Sequence, residues 1–160
     1  KYKINIVKIK TTILKTIIGT LLVCLMACSS SGGSSLSFGP DANGVSFTAP
    51  SGFSDFSKHK EANDEDTLFI WAVGSFAELS KKEESGNVSD IKLITLSKTS
   101  DTPSLDSAKD VSVCGVTGKQ SPINTFQIVY FTVNDQLFVL QMSNLSDEDI
   151  EALLKSCTGK

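Results

Sequence analysis

Residues 125–142 admit few structures. TFQIVYFTV and QLFVLQM are apolar segments rich in β-branched and aromatic side chains, separated only by Asn134 and Asp135. Tight two-residue hairpin turns use positive φ values, and Asn and Asp tolerate that conformation. The run therefore reads as a long antiparallel hairpin, and the rest of the chain must cover its apolar surface.

Other segments carry the same period. Residues 45–49 (VSFTA) alternate apolar and polar after a turn at residues 41–44 (DANG), and stop at Pro50 and Gly52. Residues 67–73 (TLFIWAV) are apolar on both pleat faces, which predicts an interior strand, and residues 91–97 (IKLITLS) predict another. Cys114 falls in residues 111–116 (VSVCGV), also read as a strand, and residues 76–85 (FAELSKKEES) read as a short helix. The best helix signal closes the chain. Ser146 is a good N-cap, and Asp147, Glu148 and Asp149 meet the positive end of the helix dipole. Ile150, Leu153, Leu154 and Cys157 then fall on one stripe, and Gly159 is the expected stop. The expected fold is α+β: a small antiparallel sheet with the C-terminal amphipathic helix packed on one face.

The first 27 residues differ in kind. They hold Lys1, Lys3, Lys8, Lys10 and Lys15 and no acid, and residues 16–27 (TIIGTLLVCLMA) carry no charge. Twelve helical residues span roughly 18 Å, short of a ~30 Å hydrocarbon core, so a signal peptide fits better than a membrane span. Leu25-Met26-Ala27-Cys28 resembles the lipobox of bacterial lipoproteins, with an apolar residue at −3 and a small one at −1. Cys24 does not fit, because bulky Val23 precedes it. The resemblance implies cleavage before Cys28, acylation of that residue, and attachment to a lipid bilayer through it. Residues 29–37 (SSSGGSSLS) follow as a flexible tether with a reach of roughly 15–18 Å. The expected organisation is a signal peptide at 1–27, a lipidated cysteine and tether at 28–37, and one domain at 38–160. The expected address is the cell envelope, with the outer membrane or cell surface favoured.

From Cys28 onward ten lysines face all eighteen acids, a formal net of −8, and arginine is absent from the whole chain. That balance repels phosphate backbones and removes the bidentate phosphate grip, which excludes a nucleic-acid partner. Cys114 and Cys157 are the two cysteines left in the exported part, and an oxidising compartment lets disulfides persist. A Cys114–Cys157 disulfide is expected, worth roughly 4 kcal/mol in the chain-entropy treatment. Two reduced buried thiols in an anaerobe remain the alternative.

The opening VSFTAPSGF strand, the long hairpin and the closing amphipathic helix together resemble the PsbP/Mog1-like domains. The resemblance implies a small antiparallel sheet with packed helices and an accessory or protein-binding role. It rests on the order of elements at the two ends, and residues 75–120 lack the long helix such domains carry.

Chemistry is sparse. His59, the sole histidine, stands between Lys58 and Lys60 without a nucleophile motif and reads as an exposed loop residue. Glu61, Asp64, Glu65 and Asp66 are clustered acids without the spacing of a calcium loop. Gly115-Val116-Thr117-Gly118-Lys119-Gln120 has two residues between its glycines where a phosphate loop has four. Zinc needs at least three suitable ligands, and only two cysteines and one histidine remain after processing. Phe69, Trp71, Tyr130 and Phe131 can stack on a ligand, although strand aromatics more often pack a core. No catalytic, cofactor-binding or metal-binding residue is assigned. Two readings remain: a non-catalytic binding or accessory module for an envelope protein or small ligand, and an envelope hydrolase whose site has no motif.

Overall fold

The computed structural model describes residues 36–40, 44–60, 64–86, 90–101, 107–123 and 126–159. The expected leader, Cys28 and all but the end of the expected tether lie outside them. The described chain is strand-dominated, with ten strands in two sheets and two α-helices. All the pairings are antiparallel.

The larger sheet has the order β3-β4-β5-β9-β8-β7-β6: β3 (Phe53–Asp55), β4 (Thr67–Val73), β5 (Leu93–Thr99), β6 (Lys109–Val113), β7 (Val116–Ile123), β8 (Phe126–Val133) and β9 (Gln136–Ser143). It consists of two meanders, β3-β4-β5 and β6-β7-β8-β9, joined along the β5–β9 seam from Leu93↔Ser143 to Thr99↔Leu137. The expected hairpin is its centre. Asn134 and Asp135 turn with φ of 50° and 61°, which sets Val133 opposite Gln136. Residues 67–73 form β4 as expected, one strand in from an edge that the three-residue β3 occupies.

A three-stranded sheet brings the ends of the domain together. β2 (Val45–Thr48) lies between β1 (Ser37–Phe38) and β10 (Thr158–Gly159). The folded part thus takes in Leu36 and Ser37 at the end of the predicted tether; the Leu36 carbonyl accepts from Ala49 N at 2.8 Å. Gly159, expected to stop a helix, is instead a strand residue opposite Val45. The chain leaves the helix at Cys157, whose extended backbone leads into β10.

Helix α1 (Phe76–Glu84) follows Gly74, and α2 (Asp147–Ser156) follows the Ser146 cap, whose hydroxyl accepts from Asp149 N at 3.1 Å. At the far end of α2, Ser156 Oγ accepts from Thr48 N at 3.0 Å, tying the helix to β2.

Strand pleating divides the side chains into distinct clusters. Phe69, Trp71, Ile94, Leu96, Val129, Phe131, Phe138, Leu140 and Met142 of the large sheet share one buried cluster with Val45 and Phe47 of β2 and Ile150, Leu153 and Leu154 of α2. The opposite face holds two smaller clusters. Ile70, Ala72 and Leu93 gather around Leu79 of α1 and Ile91, while Ile128, Tyr130 and Val139 form a second group. On that face Ser143 stands between Leu93 and Phe126, its buried hydroxyl without a partner among the described residues.

Candidate functional site

His59 has a firmer setting than an exposed loop. It ends a 3-10 turn (Ser57–His59) between β3 and β4 and is half-buried. Its ring lies parallel to that of Phe76, the first residue of α1, with centroids 4.7 Å apart and an interplanar angle of 25°. Phe56 is a further neighbour, with ring centroids 6.1 Å apart. Aromatic burial is the reason for the difference: Phe76, distant in sequence, supplies an apolar face against which an imidazole packs.

The surrounding turn is built from its own polar groups. Asp55 Oδ1 accepts from Ser57 N at 2.8 Å and from the Ser57 hydroxyl. That hydroxyl accepts from Ile70 N at 3.1 Å, and Phe56 N donates to the Ile70 carbonyl at 2.8 Å. Lys60 Nζ reaches the Thr67 carbonyl at 2.7 Å, closing the same loop from its other end. The His59 pKa is lowered from the ordinary value of 6.5, chiefly by burial and then by Lys58, with Asp55 acting in the opposite sense.

Asp55, Ser57 and His59 are the residue types of a nucleophilic triad, but their connections differ from one. In a triad the imidazole takes the hydroxyl proton and the carboxylate orients the imidazole. Here the serine hydroxyl is directed to the carboxylate and receives a backbone N–H. Among the described residues neither ring nitrogen of His59 is hydrogen-bonded, while the Asp55 and Ser57 side chains hold the turn together and join it to β4.

The other candidates are separated by the fold. Glu61 lies outside the described residues. Asp64 caps its own turn by accepting from Thr67 N at 3.0 Å, and Glu65 and Asp66 lead into β4. Among the described residues no group of three or more His, Cys, Asp or Glu side chains is placed to hold a metal ion. The glycine-rich run is no loop: Cys114 and Gly115 make the β6–β7 hairpin turn, and Val116 to Gln120 continue as β7. Gly118 is required by packing, since a Cβ there would meet the Tyr130 carbonyl and Val113 at 2.9 Å.

The aromatic residues serve the interior. Phe69 stacks on Trp71 with centroids 4.0 Å apart, Phe47 meets Phe69 and Phe131 edge-on, and Phe131 stacks on Phe138. Phe69, Trp71 and Phe131 are buried in the main core, whereas Tyr130 faces the other side of the sheet. Burial raises the Tyr130 pKa, and Asp101 adds to that shift.

Cys114 and Cys157 come together. Their sulfurs lie at disulfide distance, their Cα atoms are 4.6 Å apart, and 43 positions separate them along the chain. Cys114 reaches that position from a turn at φ 51° rather than from within a strand, a correction to the expected VSVCGV strand. Gly115 carries the sequence signal for the turn, because the second central position of this hairpin also needs positive φ.

A capping box at α1 escaped the sequence reading. Ser75 N donates to Glu78 Oε2 at 2.7 Å while Glu78 N donates to Ser75 Oγ at 3.3 Å. Ser-x-x-Glu before an apolar position is its sequence signature. The Ser75 hydrogen bonds hold the Glu78 carboxyl below its ordinary range.

No described helix is long and apolar enough to cross a membrane. No protein-family model matches the chain, and no curated protein matches it.

Proposed function

We propose that this chain is an exported bacterial lipoprotein, anchored through acylated Cys28, whose domain binds an envelope partner without catalysing a reaction. The observation that carries the reading is the succession of a basic segment, twelve uncharged residues, Leu25-Met26-Ala27-Cys28 and a Ser/Gly tether. The Cys114–Cys157 pair supports it from the folded part, because a disulfide persists in the compartments that lie beyond a signal peptide. A short tether holds a domain near the membrane and raises its local concentration for neighbouring partners. The engagement of the His59 ring with Phe76, and of the Ser57 hydroxyl with Asp55, favours binding over nucleophilic chemistry at that turn.

The accompanying fold reading is a PsbP/Mog1-like module in which α2 lays its apolar stripe on one face of the large sheet. The burial of Ile150, Leu153 and Leu154 in one cluster with sheet residues supports it.

The test is membrane fractionation of cells carrying Cys28→Ser. Release of the variant is expected; retention as tight as that of the parent would overturn the anchor. Crosslinking on intact cells is expected to recover one reproducible partner. Turnover of a generic ester, phosphate, peptide or glycoside substrate that disappears in His59→Ala would overturn the non-catalytic reading.

A further inference from the structure

We infer that β6 is an association edge that pairs antiparallel with β6 of a second copy of this chain, joining two large sheets into one. The inference stands independently of the lipid anchor.

β6 closes the large sheet on one side with five residues, whereas β3 closes the other side with three. The polarity of the free edge follows from the hairpin. With a two-residue turn at Cys114-Gly115, Val113 and Val116 are the hydrogen-bonded pair that flanks it. The alternation of the ladder then directs the backbone groups of Val113, Val111 and Lys109 toward β7 and those of Ser112 and Asp110 outward. Asp110 and Ser112 are both exposed. Among the described residues no strand pairs with β6 on that side, so each presents a backbone N–H and C=O to an incoming strand, the template that an edge strand offers.

The partner is identified by self-complementarity. Only the register that places Val111 opposite Val111 of the second copy uses every outward group. It sets Asp110 opposite Ser112 of the other chain, and Ser112 opposite Asp110, as two hydrogen-bonded pairs. In that register the Asp110 carboxylate faces a serine hydroxyl across each pair. Asp110 is already oriented on its strand by Lys119, its cross-strand neighbour on β7. On the opposite face Val111, half-buried against the main core, meets its own copy. A shift by two residues one way puts Asp110 against Asp110, which like-charge repulsion disfavours, and the other way uses Ser112 alone.

The experiment is sedimentation equilibrium of the full chain in density-matched detergent, with near-UV circular dichroism to verify the fold of each variant. A monomer–dimer equilibrium is expected for the parent. Ser112→Asp places like charges opposite each other twice and is expected to weaken the dimer by roughly tenfold, while Ser112→Lys places opposite charges twice and is expected to strengthen it. Ala77→Lys adds the same charge as Ser112→Lys from an exposed position on α1, which packs on β4 and β5 well away from β6, and is expected to leave the dimer unchanged. A parent that stays monomeric overturns the inference, even if it captures an extended peptide from another protein. A dimer that responds to Ser112→Lys and Ala77→Lys alike, or to neither Ser112 variant, overturns it as well.

Discussion

Gly159 approaches the β6–β7 turn so closely that a Cβ there would stand 2.8 Å from the Cys114 carbonyl oxygen and 3.5 Å from Cys114 Cβ. The contact lies beside the cysteine pair, so the last described residue of the chain is seated against the turn that its neighbour Cys157 reaches. Glycine is required here by space. Gly159→Ala is expected to lift β10 from β2 and cost about 1 kcal/mol, the low end for overpacking because a terminal strand can move. Urea denaturation measures the loss, and hydrogen exchange at residues 45–48 locates it.

Cys114 and Cys157 are expected to be oxidised in the protein taken from cells. Alkylation of the denatured chain before reduction, followed by peptide mass mapping, should leave both unlabelled; label on either refutes the bond. Replacing both by alanine is expected to lower stability by about 2–4 kcal/mol, read as a lower urea midpoint with a steeper slope, because the denatured chain without the crosslink exposes more surface.

His59 gives a pH dependence whose sign follows from its lowered pKa. The folded chain takes up the proton less readily than the unfolded chain does. The stability from this source is therefore present above the ordinary value of 6.5 and is lost as pH falls through the folded value. A single histidine makes the check direct: the imidazole proton titration in NMR should have its midpoint below 6.5 in the folded chain and return toward it in urea. His59→Gln should remove the corresponding slope from the unfolding midpoint between neutral and mildly acidic pH.

Among the described residues Ser143 buries a hydroxyl without a partner, on the face that it shares with Leu93 and Phe126. Ser143→Ala removes a desolvated polar atom and is expected to stabilise the fold by about 1 kcal/mol. A loss of stability in the same urea experiment would mean that the hydroxyl is satisfied in solution.

The parts of the fold legible in the sequence are those where local chemistry and burial agree. Asn134-Asp135 between two apolar runs is a hairpin turn, residues 67–73 are β4, and Ser146 caps α2 through Asp149 N. Cys114 and Cys157 pair in the sequence only as the two cysteines left beyond the expected leader and Cys28, and the structure sets their sulfurs at disulfide distance. The small sheet was not legible, because β1 and β10 have two residues each and no period can be read from two. Gly159 has the signature of a helix stop, but it is small for the sake of the Cys114 carbonyl. At the candidate site, Lys58 and Lys60 beside His59 suggested exposure, and only the chain path reveals Phe76 beneath the ring. The Ser75-Glu78 box could have been read directly, and it would have strengthened α1.

The pairing of Val45 with Gly159 also orders events in time. β2 enters near the start of the domain, yet the strand beside it, the helix tied to it by Ser156 and the cysteine that meets Cys114 belong to the final residues. A chain still being synthesised, or cut a dozen residues early, has β2 and the apolar face of the large sheet without α2 and β10. Long-range closure of this kind delays the cooperative step until both ends are present. The small sheet is therefore a late and long-range closure: its register cannot form until segments more than a hundred positions apart meet.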